Sequence, residues 1–298
     1  MTEKQDHTWA IDISHWWTVN WPKIPEFVRL VLVKATEGDY LTDPSFEQHV
    51  EEALGAGKTV GVYHFYRTQI GGRRVPPKAQ AEYFLQQTQQ YWDDLNLRAN
   101  DFERGPCLQP AGKYYNPRLG SESEDLFTFH QTLHQSDWAA FDLLYTNAAT
   151  WQEMKIENSA NLWRGPGWVK EQPFIDGLWL AWWPYRRPRS VPDLDKFVPG
   201  SFSPRLPRPF SDYWAWQLSA DFVLPGLLNA EGKIPKTADL NYIPYPPEIV
   251  DQMLSAYWQE PSVVVDVKQM AAAYRAGWRD RTDDLIAHLQ QTREKEVK

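Results

Sequence analysis

The stretch LVLVKATEGDYLTDPSFEQHVEEALGAGKTVGVYHFYR, residues 30–67, reads as a strand, a helix and a second strand in succession. Its first five residues are a short and nearly all-apolar run, as expected of a strand that is buried on both faces. Asp43 can cap the helix, with Pro44 at its first position, and glycines end it. The run VGVYHFYR at residues 60–67 predicts the next strand. A unit of this kind indicates an α/β protein with parallel strands.

The same alternation continues on both sides of this unit. WAIDIS at residues 9–14 predicts a preceding strand, residues 76–91 predict a following helix, and a capping box at Ser121 and Glu124 predicts another. The later helices look weak, and the Pro- and Arg-rich segment 184–209 reads as a long surface loop. Three further strands are predicted at residues 141–146 (FDLLYT), 177–183 (GLWLAWW) and 213–219 (YWAWQLS).

After Pro246 and Pro247 the strand-like runs end and a helical pattern of apolar residues follows. A stripe at helical spacing predicts a long amphipathic helix, which either packs against the preceding domain or binds a protein partner or a second copy of the chain. We therefore expect a barrel-sized domain at residues 8–245 and a helical extension at residues 246–298. The stripe consists of Val267, Ala271, Tyr274, Trp278, Leu285 and Leu289.

The composition argues against several classes of function. A net charge of −8 over 298 residues disfavours nucleic acid, whose phosphates need clustered Lys and Arg. No stretch approaches the ~20 apolar residues of a membrane span. Cys107 is the only cysteine, so an intramolecular disulfide is impossible. The first ten residues lack the apolar core of a signal peptide, and we expect synthesis in a cytoplasm. The 16 Trp and 14 Tyr either pack a core or stack on sugar rings.

The triplet Asp101-Phe102-Glu103 is the main candidate for chemistry. In a strand, side chains two residues apart share a face and lie ~6.5–7 Å apart. Two close carboxylates raise the pKa of one of them, which keeps an acid protonated near neutrality. Glycoside hydrolysis needs such an acid for the leaving oxygen, and a negative charge beside an oxocarbenium-like centre. Solvated surface carboxylates in a chance triplet are the alternative.

Two further acids strengthen the case for a site. Asp12 lies inside the apolar strand WAIDIS, where a carboxylate is unfavourable unless it has partners or a task. Asp239 lies in ADLNY, also near apolar neighbours. In barrel enzymes, residues at the ends of several strands converge on one mouth.

The histidines do not predict a metal centre. His130 and His134 have the spacing of a two-histidine zinc site, but Gln131 stands where a metalloprotease has Glu, and no third ligand is evident. His64, in a strand of aromatics, is expected to be a hydrogen-bonded structural residue. No glycine-rich phosphate loop and no Ser or Cys nucleophile motif is present. We expect neither a metal nor a cofactor.

A series of motifs, in order over about residues 8–245, resembles glycoside hydrolase family 25, the Chalaropsis-type lysozymes. The motifs are WAIDISHW (9–16), VLVKATEG (31–38), GVYHFYR (61–67), AQAEYFL (79–85), DFE (101–103), LLYTN (143–147), LWLAWW (178–183), WQLS (216–219) and DLNY (239–242).

This resemblance implies an irregular TIM-like barrel of five β/α units, followed by strands without regular helices. It also implies that the substrate is the glycan strand of peptidoglycan, cut at the β-1,4 bond between N-acetylmuramic acid and N-acetylglucosamine with retention and help from the substrate. By position, Glu103 would be the general acid and Asp101 would support the 2-acetamido group. Asp12 and Asp239 match the other acidic positions. Aromatic wall positions correspond to Tyr63, Tyr145, Trp182 and Trp216.

Some features depart from the family pattern. Arg98 and Asn100 interrupt the hydrophobic strand that usually leads into the Asp-x-Glu pair, and they would face the helical layer. The segment 104–120 is longer and richer in Pro than the pattern, and the extension at 246–298 lies outside it. Two other functions stay open: a barrel hydrolase of chitin or N-glycans, and a wall-binding module without catalysis that the tail helix docks to a larger assembly.

Overall fold

The computed structural model describes residues 6–70, 73–103, 122–153, 175–197, 204–208, 210, 212–233 and 235–255. The strands are β1 (Thr8–Ile13), β2 (Trp17–Val19), β3 (Val28–Glu37), β4 (Leu41–Thr42), β5 (Thr59–Phe65), β6 (Gln69–Ile70), β7 (Arg73–Arg74), β8 (Leu97–Asp101), β9 (Phe141–Thr146), β10 (Gly177–Ala181), β11 (Ala215–Asn229) and β12 (Pro235–Ile243). The helices are α1 (Phe46–Gly55), α2 (Pro77–Thr88), α3 (Glu122–His134), α4 (Ala148–Glu153), α5 (Val191–Leu194) and α6 (Pro247–Ser255), with 3₁₀ turns at Trp21–Lys23 and Gln89–Tyr91.

Eight of these strands close into a barrel in the order β1, β3, β5, β8, β9, β10, β11, β12. The first seven are parallel to their neighbours, whereas β12 is antiparallel to both β11 and β1 and closes the ring. Parallel neighbours need crossover connections, and α1 to α4 lie in the connections that follow β3, β5, β8 and β9. The predicted irregular TIM-like barrel is confirmed.

The connections late in the described chain are irregular, as the weak helical patterns indicated. Strand β10 leads to the four-residue helix α5, and β11 joins β12 in an extended hairpin. The strand predicted at residues 213–219 continues to Asn229 because the hairpin rises beyond the barrel, where β2 pairs with its far end. Phe222, Leu224 and Leu227 are buried there, and they belong to the large apolar cluster that also contains residues from the outer faces of the barrel strands.

Helix α1 begins later than predicted. The predicted start at Pro44 was wrong, because Asp43 forms a local turn in place of a helix cap. Its Oδ1 accepts a hydrogen bond from the Ser45 amide (3.0 Å), and its carbonyl oxygen accepts one from the Phe46 amide (3.0 Å). Pro44 therefore lies in the turn before the helix.

Side chains inside the barrel change from apolar to polar along the strands. Leu30 on β3 and Leu97 on β8 are fully buried in the core cluster that fills the barrel. On the strand between them, a β-carbon at Gly61 would lie 2.7 Å from the Leu97 side chain, so any larger residue would have to displace Leu97. Four residues further along, the same inward positions are Lys34 and Asp101. The carboxyl end of the barrel is therefore a polar mouth above an apolar floor.

The outer faces of the strands pack against the helices. Helices α1, α2 and α3 each bury an apolar face in a second core cluster, which lies between the barrel and the helical layer. The residues involved are Phe46, Val50 and Ala53 from α1, Ala81 and Phe84 from α2, and Leu126, Phe129 and Leu133 from α3.

Helix α6 packs beneath the barrel. Ile249, Val250, Met253 and Leu254 are buried in the same cluster as the barrel interior. Thr8 Oγ1, at the amino end of β1, donates a hydrogen bond to a carbonyl just before this helix (2.8 Å). The first turns of the extension therefore close the amino end of the barrel.

Several expectations fall outside the described residues. The stripe at 267–289, the segment at 104–120, Cys107 and the Ser121 cap belong to this group. Of the helices that the structure describes, none combines the length and the apolar character that a membrane crossing requires.

We predict that truncation after Ser255 preserves the barrel, whereas truncation after Tyr245 unfolds it. The shorter chain exposes the floor and loses four buried apolar side chains, each contributing about 1.5–3 kcal/mol. Thermal unfolding of the two truncated chains tests this expectation. Met253→Ala should cost about 2–5 kcal/mol, with the exposed Ser255→Ala as its control. A stable, folded chain ending at Tyr245 would instead place the domain boundary at 245/246.

Candidate active site

Four acids gather at the polar mouth of the barrel. Asp12 lies on β1 and Asp101 ends β8, and both carboxyl groups point inward. The Phe102 amide continues the ladder to β9 by donating to the Tyr145 carbonyl (2.9 Å), so Glu103 keeps the inward direction. On β12 Asp239 stands directly opposite Asp12. Because β12 runs antiparallel, an acid near the middle of this strand reaches the same mouth.

A hydrogen bond joins the carboxyl groups of Asp12 and Asp239. Two carboxyl groups can share a hydrogen bond only when one of them carries a proton. Burial raises the pKa of Asp12 to about 6. Burial and the charge of Asp12 raise the pKa of Asp239 well above its ordinary value. Asp239 is therefore the proton donor of the pair, and the shared proton reduces the negative charge of the two carboxyl groups.

Two amide side chains fix the position of Asp12. Asn241 Nδ2 donates to Asp12 Oδ2 (2.8 Å), and Gln217 Nε2 donates to the same oxygen (3.3 Å). Each amide is oriented by an aromatic donor: Trp179 Nε1 binds Asn241 Oδ1 (2.7 Å), and the Tyr145 hydroxyl binds Gln217 Oε1 (3.0 Å). This network explains how a carboxyl group is tolerated inside a barrel strand.

Asp101 is buried, Glu103 is partly buried, and the two carboxyl groups are electrostatically linked. The pKa of Asp101 is raised well above its ordinary value, first by burial and next by the charge of Glu103. Burial also raises the pKa of Glu103, while the charge of Arg67 lowers it. The sequence predicted one raised pKa, caused by the close approach of the two carboxylates, whereas both pKa values are raised and burial is the largest cause for each. Within the described part of the chain, Asp101 Oδ1 is buried without a hydrogen-bond partner.

A cluster of charges, which sequence reasoning missed, lies beside the acids. Glu37 binds Lys34 Nζ (2.6 Å) and Arg67 Nε (2.8 Å), one with each carboxylate oxygen. Both cations also lie over the Phe65 ring, at 4.9 Å and 4.5 Å from its centroid. A lysine at an inward position of the apolar strand LVLVK was the available signal.

Two of the four predicted aromatic wall residues reach the site. Tyr63 and Tyr145 lie inside the barrel, and burial and then the charges of nearby acids raise the pKa of both hydroxyl groups. Trp216 is fully buried on the outer face of β11, where its indole N–H binds the Trp182 carbonyl. The structure does not bring Trp216 to the acids, and Trp182 packs beside it. The neighbouring Trp183 is 51% exposed at the end of β10.

The histidines take structural roles. His64 is buried with Thr36 Oγ1 at 2.7 Å and Gln80 Oε1 at 3.1 Å from its ring nitrogens. Burial lowers the pKa of His64 to about 3, so the ring stays neutral. His130 Nδ1 lies 3.1 Å from Asp142 and His134 Nε2 lies 4.0 Å from it. A shared carboxylate on the outer face of β9 thus explains the two-histidine spacing.

The unusual polar residues of β8 face the helical layer, as predicted. Arg98 donates to the Trp138 carbonyl (3.0 Å) and lies 3.6 Å from Asp142. Asn100 Nδ2 lies 3.4 Å from His130 Nε2. Arg98 and Asn100 therefore meet a buried carboxylate and an imidazole, which explains how they fit in a fully buried strand.

The fold and the site together define a class of protein. An eight-stranded barrel with four acids gathered at one mouth is suited to glycoside hydrolysis. The sequence profile of "Glycosyl hydrolases family 25" matches residues 11–227. The chain belongs to this family.

Individual relatives agree with the family. Lysozyme M1 of Streptomyces globisporus is 24% identical over 215 residues, which are 71% of this chain and 61% of that protein. The chain thus spans less than two thirds of that relative's length. The structure of the bacterial lysozyme from Streptomyces coelicolor has a TM-score of 0.59 at 21% identity, covering 83% of this chain and 95% of that one. For the family GH25 lysozyme from Aspergillus fumigatus the TM-score is 0.57 at 21% identity, with 83% and 98% covered. The two structures establish the similarity of fold.

We predict that Arg67→Gln raises the pKa of Glu103. Removing a positive charge that lowers this pKa makes the ionised carboxylate less favourable. The proton should therefore leave Glu103 at a higher pH, which a carboxyl ¹³C NMR titration measures directly. Arg73→Gln, which removes an exposed charge paired with Asp39, is the matched control. An unchanged Glu103 titration in Arg67→Gln would mean that solvent screens the two groups from each other.

Proposed function

We propose that this chain hydrolyses the glycan strands of peptidoglycan at the β-1,4 bond between N-acetylmuramic acid and N-acetylglucosamine, with retention and participation of the substrate's 2-acetamido group. The observation that carries the proposal is a set of four acids with raised pKa values, one of which, Asp101, has a buried oxygen with no hydrogen-bond partner among the described residues. Membership of family 25 and the lysozyme relatives support it.

Glu103 is the proposed general acid. Burial raises its pKa, which favours the protonated form that must donate to the glycosidic oxygen as the bond to the anomeric carbon breaks. The acetamido carbonyl oxygen attacks that carbon from the other side and forms a cyclic oxazolinium ion. Glu103, now ionised, then accepts a proton from the water that opens this ring. Two displacements at one carbon give net retention.

Asp101 is proposed to bind the acetamido N–H. Its buried Oδ1 accepts no hydrogen bond from the described residues, and an amide N–H of the substrate supplies the missing donor. Such a bond favours the ionised carboxyl group, so substrate binding and loss of the Asp101 proton are linked. The ionised group then stabilises the positive charge that develops on the amide nitrogen as the ring closes.

Asp12 and Asp239 are proposed to act as one unit. Their shared proton leaves a single negative charge near the reacting centre, held in place by Asn241 and Gln217. A fixed charge in a site with little water stabilises an oxocarbenium-like centre more than a solvated charge would. A non-catalytic binding module would gain nothing from holding these carboxyl groups together.

The proposed place of action is the bacterial cell wall, reached after release or delivery. A protein partner or a second copy that binds the extension beyond Ser255 remains a prediction.

Digestion of purified peptidoglycan tests the function. The new reducing ends, reduced and identified by mass spectrometry, should be N-acetylmuramic acid. N-acetylglucosamine ends would move the enzyme to another bond specificity. Release of sugars from chitin or N-glycans alone would support the second class of hydrolase, and binding without release would support the wall-binding module.

We predict that Glu103→Gln lowers turnover by at least about 10²–10⁴-fold, the usual contribution of a general acid. Glutamine is nearly isosteric, so the melting temperature should stay close to that of the wild type. Turnover on glycan strands and a thermal melt are the two measurements. Glu231→Gln, an exposed Glu at the tip of the hairpin, controls for the loss of one carboxyl group. Near-wild-type turnover would remove Glu103 from the mechanism.

We predict that Asp101→Asn lowers kcat by about 10²-fold or more and changes KM little. The carboxylate stabilises a charge that exists only as the bond breaks, so its loss affects the transition state more than the bound substrate. Steady-state kinetics on a soluble glycan fragment separate the two constants. An unchanged kcat would show that Asp101 is structural and would direct the search to Asp12 and Asp239.

A further inference from the structure

An aromatic ring and two cations form an exposed rim beside the acids. Trp183, just after β10, is 51% exposed. The guanidinium carbon of Arg187 lies 5.7 Å from the centroid of its ring, a cation–π distance. Trp183, Arg187, Arg189 and Asp221 are called the Trp183 rim below.

Ion pairs hold the rim against the hairpin. Arg187 Nη2 lies 3.0 Å from Asp221 Oδ2, and Arg189 Nε lies 3.2 Å from the same oxygen. The Val223 amide donates to the Arg189 carbonyl (2.6 Å), which ties the segment to β11. Ser219 Oγ donates to the other oxygen of Asp221 (2.9 Å). Two guanidinium groups thus share the carboxylate of Asp221, so the residues that define the rim carry more positive than negative charge, while Asp193 accepts a hydrogen bond from the Arg189 amide nearby (3.1 Å).

The register of the hairpin places this rim next to the active site. Ser219 pairs with Leu240 and Phe222 pairs with Ala238, with a bulge between the two pairs. Asp239 therefore faces the short stretch of β11 that contains Asp221. The alternation of side chains along β10 points to the same place. Trp179 and Ala181 belong to the core inside the barrel, and Trp183 is the next residue in this alternation.

The charge of the rim is opposite to that of the chain. The net charge is −8, which gives no general attraction for an anionic polymer. Yet three arginines, Arg186, Arg187 and Arg189, occur within four residues. A neutral sugar ring needs only an aromatic face, whereas paired guanidinium groups are suited to carboxylates, which they bind through planar, bidentate contacts.

We propose that the Trp183 rim is a subsite for the peptide-bearing muramoyl unit of the glycan strand. The sugar ring stacks on the exposed face of Trp183, and Arg187 and Arg189 bind carboxylates of the stem peptide. This inference rests on the proposed function and extends it, since it makes the enzyme prefer strands that still carry their peptides. It also explains why an acidic protein concentrates arginines beside the mouth of its barrel.

Kinetics on two forms of the same substrate test the proposal. One form is soluble peptidoglycan strands with stem peptides, and the other is the same strands after an amidase has removed the peptides. The Arg187→Gln, Arg189→Gln double variant should lower kcat/KM about fivefold or more on the peptide-bearing strands, through KM. On stripped strands it should match the wild type within about twofold. Arg29→Gln, an exposed residue at the opposite end of the barrel, should change neither value.

Substitutions at Trp183 test whether a sugar ring stacks on its side chain. Trp183→Ala should raise KM on both substrates, and Trp183→Phe should restore most of the loss because a ring is retained. Equal kcat/KM ratios of the arginine double variant on the two substrates would overturn the carboxylate subsite. Unchanged KM in Trp183→Ala would overturn the stacking. A wild-type chain inactive on both substrates would instead contradict the proposed function.

Discussion

The hydrogen bond between Asp12 and Asp239 is the contact on which the mouth of the barrel depends. It joins the first strand of the barrel to the last, where antiparallel pairing of β1 with β12 closes the ring. An ionised pair at this position would bring two negative charges together in a buried site, which is strongly unfavourable. A shared proton removes one of these charges. The pairing of β1 with β12 at this position therefore depends on the proton that Asp12 and Asp239 share.

Burial also favours the protonated forms of the other two acids, Asp101 and Glu103. For each of the four carboxyl groups it is the largest influence on the pKa, and it raises that pKa. The cations nearby do not cancel this effect, since Glu37 engages both Lys34 and Arg67. The positive charges of Lys34 and Arg67 are thus neutralised mainly by Glu37. What remains is a mouth in which burial favours the protonated forms of the acids, as a general acid requires.

Much of this could be predicted from the sequence because the parallel strands are nearly all apolar runs. Strand β9 has the predicted bounds, and the inward alternation of Asp101 and Glu103 was predicted because a strand has a period of two. The aromatic residues of the wall were harder to predict. The sequence does not show that Trp216 lies on the outer face of β11, or that the exposed ring after β10 is Trp183 and not Trp182. The length of the hairpin was missed for a related reason, since bulges break the alternation that marks a strand. Partners distant in sequence, such as Glu37 and Arg67, leave no local pattern.

The central claim is that burial keeps protons on these acids, and a carboxyl ¹³C NMR titration of the wild-type chain tests it most directly. Interacting acids titrate jointly, so the curves of Asp12 and Asp239 are fitted as a pair. The account predicts a first step for this pair near the pKa of about 6 expected for Asp12. Asp239 and Asp101 should titrate well above their ordinary range. Titration of all four acids at their ordinary values, near about pH 4, would contradict the account.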